Sequence, residues 1–137
     1  MNWESCLFIL FYGLLCFGIF IRKKSIWLHV ILTPTAFVLQ VALFMWVANR
    51  VAFSPVREVP EGLFLKMLIL HNLFGALAIL FGIPSCISGG MLFVCSIGSF
   101  KQKVRHWHRI CAWSTLIFMT FSLVCALLLG PIAAASK

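Results

Sequence analysis

The residues of this chain best suited to chemistry in an apolar setting are its four histidines, His29, His71, His106 and His108. A neutral imidazole is the commonest protein ligand for a metal ion. Two imidazoles that meet from facing helices at one depth make the axial pair of a b-type haem. Other chemistry has little to draw on. The only acids, Glu4, Glu58 and Glu61, lie outside the apolar runs, so no buried carboxylate is present for a proton relay. Six cysteines (Cys6, Cys16, Cys86, Cys95, Cys111 and Cys125) show no CxxC or other metal-ligand spacing. All lie in apolar stretches, where a thiol behaves as a small hydrophobe, so neither disulfides nor a zinc or iron–sulfur site is expected. No serine, cysteine or carboxylate constellation supports hydrolysis.

The elements that must position these imidazoles are membrane helices. Of the 137 residues, 63% are hydrophobic and 10% charged, with a mean hydropathy of +1.09. A soluble domain carries about a quarter charged and about half apolar residues. Crossing about 30 Å of hydrocarbon takes roughly 20 apolar residues in a helix, and four such runs are present, near 5–21, 25–48, 63–87 and 106–130. The expected fold is all-α, a polytopic four-helix transmembrane bundle forming one integral membrane domain over 1–137. The N-terminus carries Glu4 where a secretory signal would be basic, so the first run reads as a retained span. The third run continues through Ser88-Gly89-Gly90 into Met91 to Phe100. As one helix, residues 62–100 would be about 58 Å long, too long for one crossing and too short for two. A bend near Pro84 to Gly90 is therefore expected, with a helical or interfacial extension to about 100.

Net charge is +8, but the basic residues cluster at the ends of apolar runs, where they meet lipid or cofactor anions. No basic stripe with interleaved aromatics is available for nucleic acid. Arg22, Lys23 and Lys24 hold the first connection, and Lys101, Lys103, Arg105 and the adjacent Arg109 the third. In the second, Arg50, Arg57 and Lys66 are offset by Glu58 and Glu61. By the positive-inside rule, connections one and three face the cytoplasm or its equivalent and both termini lie on the other side. Trp3, Trp27, Trp46 and Trp107 fall near expected interfaces, as amphipathic rings do.

Small and polar residues mark the helix–helix side of a span in lipid. His29, Thr33, Ala36 and Gln40 repeat at helical spacing on the second span. His71, Gly75, Ala78 and Gly82 do so on the third, and His108, Ala112, Thr115, Met119 and Ser122 on the fourth. The first span has only a weaker small face around Gly13 and Gly18. His106 and His108 stand about 200° apart on a helix, so only one points inward. His106 shares its side with Ile110, Trp113 and Ile117, which leaves His108 as the inward residue. Depth agrees, since His29 and His108 both sit roughly 3–6 Å below the inner boundary. His71 enters from the other side, about 12 Å below the outer boundary.

Ionisable residues inside a membrane are costly and usually functional. His29 and His108 are the expected axial ligands of a haem b, with Arg22, Lys23, Lys24, Arg105 and Arg109 offering charge to its propionates. The competing reading is that such histidines near helix ends snorkel to headgroups. His71 is expected to hydrogen-bond to Asn72 or Gln40, a His71–Met119 axial pair being the alternative. Pro34 is read as a local packing adjustment that kinks the second span, and the fourteen phenylalanines as lipid-facing bulk.

Two resemblances follow from these motifs. Lys23-Lys24-Ser25-Ile26-Trp27-Leu28-His29, Leu70-His71-Asn72-Leu73-Phe74-Gly75 and Arg105-His106-Trp107-His108 resemble the core of the ascorbate-type transmembrane cytochromes b, which reads KK…H, LHSWxG and PWH at similar spacings. In that family, histidines on four helices bind two haems in alternating helix pairs. The resemblance implies that His29 and His108 bind one haem and that His71 is half of a second pair, whose other half has no histidine on the first span here. It covers about residues 22–130. Gly18 to His29, Leu68-Ile69-Leu70-His71 and His108-Arg109-Ile110-Cys111-Ala112 are similar to a small four-helix bacterial membrane family linked to maturation of haem–copper oxidases. Its first helix also lacks a histidine, although its Pro-x-Trp-x-Tyr and Thr-Gly features are missing from the fourth span here.

The function expected is that of a haem-b-binding membrane protein in respiratory electron transfer or respiratory oxidase assembly. The alternative is a cofactor-free structural subunit or assembly factor of a larger membrane complex, and in either case other membrane subunits are the expected partners. A small transporter is disfavoured by the lack of a charged pathway and of repeat symmetry. A periplasm-active reporter fused after residue 137 should be active, and one fused after residue 24 silent; the reverse pattern would invert the orientation.

Overall fold

The computed structural model describes residues 3–52, 62–94 and 98–135. They form four helices, α1 (Trp3–Ile21), α2 (Ile26–Ala52), α3 (Leu63–Val94) and α4 (Gly98–Ala135). Each is long and apolar enough to cross a membrane, and among the described residues there is no strand. The all-α four-helix bundle expected from hydropathy is the fold. A helix satisfies its backbone hydrogen bonds within itself, the condition hydrocarbon imposes on any spanning segment.

The boundaries differ from expectation where hydropathy is a poor guide. Helix α3 runs on to Val94 with Pro84 inside it, and no break in helical structure occurs between Pro84 and Gly90. The expected extension to residue 100 is divided, because α4 already begins at Gly98, ahead of the apolar run at 106. Gly98 to Arg105 is too polar to register as a span, but lysine, glutamine and arginine are good helix formers. Residues 95–97, between the two helices, lie outside the described residues, as do Arg57, Glu58 and Glu61 of the second connection.

Two antiparallel hairpins make up the bundle, α1 along α2 and α3 along α4, with a sparser seam between them. In the first turn, the Lys24 and Ser25 amides donate to the Ile21 carbonyl (both 2.8 Å). Ser25 then caps α2, its Oγ accepting from the Leu28 amide at 3.3 Å, which meets one orphan donor of the helix start. Among the described residues α1 does not approach α3, nor α2 approach α4, so these pairs stand diagonally across the bundle.

The stripes of small and polar residues are the buried faces. Gln40, His71, Gly75, Ala78, Gly82, Thr115, Met119 and Ser122 are all buried, whereas His106, Ile110, Trp113 and Ile117 are exposed. The phenylalanines divide, against the expectation that they serve only as lipid-facing bulk. Phe37 is buried and Phe44 half-buried, because α3 offers each a glycine: a Cβ at Gly82 would collide with the Phe37 ring, and one at Gly75 with the Phe44 ring. Both pairs are seven residues apart, so two turns of α2 seat in two notches of α3. On α1 only Gly18 serves the interface, where an added Cβ would lie 2.6 Å from Thr33 Oγ1; Gly13 is exposed with open space around it. Leu15, Ala36, Phe37, Ala78 and Met119 form a core layer drawn from all four helices. Between α1 and α4, Thr120 donates to Leu116 O (2.7 Å), which leaves its oxygen to accept from the Tyr12 hydroxyl at 2.6 Å.

Replacing Gly82 with leucine evicts Phe37 and should destabilise the bundle by about 1–3 kcal/mol through overpacking. Gly13→Ala, in open space, should instead stabilise by up to about 1 kcal/mol through helix propensity. Unfolding in mixed detergent micelles measures both, and equal effects would refute the notch-and-ring packing.

Candidate functional site

A cavity of about 450 Å³ lies where the two hairpins meet, at the end of the bundle carrying the α1–α2 turn and the start of α4. His29 and His108 both line it. They come from α2 and α4, the diagonal pair, so the two rings enter one space from different sides of the seam. Each imidazole is held in the same way. His29 Nδ1 lies 2.9 Å from the carbonyl oxygen of Gly18 on α1, and His108 Nδ1 lies 3.0 Å from that of Ser85 on α3. A carbonyl only accepts, so in both rings Nδ1–H is the donor, and in the neutral imidazole Nε2 keeps the lone pair. Thr33 Oγ1 (3.1 Å) and Ser88 Oγ (3.3 Å) stand beside the same two nitrogens.

Glycine makes both approaches feasible. At Gly18 a side chain would strike Thr33, which belongs to the His29 cluster, and a Cβ at Gly89 would come within 3.2 Å of His108 Cε1. Hydrogen bonding of the non-ligating nitrogen to a backbone carbonyl orients a metal-binding histidine, fixes its tautomer and raises its basicity.

The rest of the lining separates by polarity. Arg22, Lys101, Arg105 and Arg109 contribute cations, and among the described residues no aspartate or glutamate lines the cavity. Ile26, Val30, Pro34, Leu92 and Phe93 supply apolar wall, and the Trp27 indole packs edge-on against Phe93 with ring centroids 4.8 Å apart. An apolar slot with two imidazoles and a cationic rim matches the donor set and charge of haem b, an apolar macrocycle with an iron taking two axial nitrogens and two carboxylates at one edge. Among the described residues no group of three or more His, Cys, Asp or Glu could hold a metal ion; a haem iron asks the protein for only two ligands.

Of the residues singled out from sequence, the fold brings His29, His108, Arg22, Arg105 and Arg109 to this cavity. Lys24 stays exposed in the turn and is not part of the lining. His71 lies toward the other end, in a smaller cavity with Met119. Its Nδ1–H donates to Ser122 O at 2.9 Å and not to Asn72, which is exposed. Sequence reasoning placed Ser122 on the inward stripe of α4 but did not pair it, since hairpin register decides which residues face across it. Lys101, Ser85 and Gly89 were also missed as site residues. Lys101 was visible as a loop cation, but the two others carry no signal without the partner helix. Comparison of this chain with protein families, curated proteins and solved structures finds no match.

Nitrogen NMR of histidine-labelled protein in bilayers at neutral pH should show His29, His71 and His108 as Nδ1–H tautomers with unprotonated Nε2. A neutral tautomer with Nδ1 unprotonated at His29 or His108 would contradict the carbonyl contacts.

Proposed function

We propose that this protein binds haem b in the cavity between its hairpins and serves respiratory electron transfer or the assembly of a respiratory oxidase, as a carrier or accessory subunit and not a stand-alone enzyme. One observation carries the proposal: two imidazoles from diagonal helices line a single cavity, each locked by a neighbouring helix's carbonyl into the tautomer that leaves Nε2 able to coordinate. When bound, haem supplies one-electron chemistry within the bilayer. His29 and His108 would hold its iron. Arg22, Lys101, Arg105 and Arg109 would hold its carboxylates by charge-assisted hydrogen bonds, with Lys24 adding to the field from the turn. The apolar wall keeps water from the ligating nitrogens.

The same reading sets the protein's orientation and company. The end bearing Arg22, Lys23, Lys24, Lys101, Lys103, Arg105 and Arg109 faces the cytoplasm or its equivalent, and both termini face away from it. The partners are other membrane subunits of a respiratory complex, which meet the lipid-exposed faces of the bundle.

A reduced-minus-oxidised spectrum of protein purified from haem-replete cells should show a b-type α-band. His29→Ala and His108→Ala should abolish it, while His71→Ala and His106→Ala should retain it. Substituting Arg105 and Arg109 with glutamine should lower the midpoint potential, because cations at the propionates favour the reduced, more negative state. A colourless wild-type preparation would remove the proposal.

A further inference from the structure

The smaller cavity, about 30 Å³, lies on the far side of the core layer from the His29–His108 site. Gln40 from α2 and His71 from α3 both line it, with Phe8, Phe44 and Met119 among the walls. Gln40 is only 5% exposed, and its Oε1 has no hydrogen-bond partner. His71 is 8% exposed. Its Nδ1–H is committed to Ser122, whose carbonyl lies at 2.9 Å and whose hydroxyl oxygen lies at 3.0 Å. That hydroxyl donates in turn to the His71 carbonyl at 3.2 Å. In the neutral imidazole the remaining ring nitrogen, Nε2, is therefore an acceptor. The rings of Phe8 and Phe44 flank the imidazole, with centroids 6.5 and 5.7 Å from it, and have no hydrogen to donate to nitrogen.

Gln40 Oε1 is thus an orphaned buried acceptor, and the neutral His71 ring lining the same small space offers a second acceptor from another helix. A molecule with two donors would serve both. A cavity needs roughly 10–15 Å³ to hold a water, which in turn needs two to four polar partners. We infer that this cavity is the binding site of a single ordered water that donates one hydrogen to Gln40 Oε1 and the other to His71 Nε2. Hydrogen bonds then run from α2 through the water to the imidazole of α3, and through Ser122 to α4. That path ties the two hairpins together across their sparse seam. It also makes His71 a structural acceptor and not an iron ligand, in a space far too small for a macrocycle. The inference stands apart from the haem proposal, because it uses none of the residues of the larger cavity.

Water-edited solid-state NMR of the full-length, isotope-labelled protein in bilayers tests it. Magnetisation from water should reach the His71 imidazole and the Gln40 carboxamide quickly, while Leu15 and Ala36 of the core layer, which do not line the cavity, stay dark. In Gln40→Leu the transfer to His71 should fall severalfold and the Nε2 resonance should move downfield, with the Nδ1–H bond to Ser122 intact. His71→Phe should likewise darken Gln40. Should either variant fail to fold, the wild-type transfer decides by itself. A wild-type cavity dark to water, a direct Gln40–His71 contact, or a copper ion co-purifying on His71 and Met119 would overturn the inference.

Discussion

A polar hydrogen buried in hydrocarbon has no solvent to turn to, and much of this structure follows from where three imidazole N–H groups go. His29, His71 and His108 each send Nδ1–H to a backbone carbonyl on a different helix, at 2.9, 2.9 and 3.0 Å. Those bonds satisfy the donors, join α1 to α2 and α3 to α4 within each hairpin, and leave three Nε2 lone pairs pointing away from their anchors. An acceptor nitrogen in an apolar interior is itself unsatisfied until something meets it. The occupants proposed for both cavities answer that surplus.

Interlocking is uneven between hairpins. Within the α3–α4 hairpin, stacked rings of Phe74, Phe118 and Phe121 join polar contacts along both helices. Across the seam, Phe37 and Phe44 seat against glycine, one core layer is shared, and the Tyr12–Thr120 hydrogen bond and the Trp27–Phe93 ring pair add single contacts. Where that layer ends, the helices leave space. On one side the space is large and rimmed by cations; on the other it is water-sized and walled by phenylalanine. The larger cavity lies at the end of the bundle that carries the basic turn and the polar first turns of α4.

Preorganisation links these packing facts to the proposed role. A ligand already held in the right tautomer by a second helix needs little reorganisation to bind a metal. Glycines at 18 and 89 let those helices come close to their histidine clusters. The same bonds would also staple helices in a bundle without a cofactor. What sets the larger cavity apart is that both stapled imidazoles line one space, beside four cations and, among the described residues, no acid.

Hydropathy alone determined that the chain is a bundle of four membrane helices, because length and apolarity decide what can cross a bilayer. Periodicity determined which faces turn inward: the stripes headed by His71 and His108 are those found buried, and His106 is exposed as its neighbours implied. The helix ends escaped the sequence, since Gly98 to Arg105 is helical without being apolar and Pro84 does not end α3. Partners across helices escaped it as well. That His71 meets Ser122 and not Gln40, that Ser85 holds His108, and that Phe37 and Phe44 turn inward depend on hairpin register and on glycine notches in the facing helix. A single chain's pattern records which side of a helix is polar. Only packing decides which atom of another helix that side will meet.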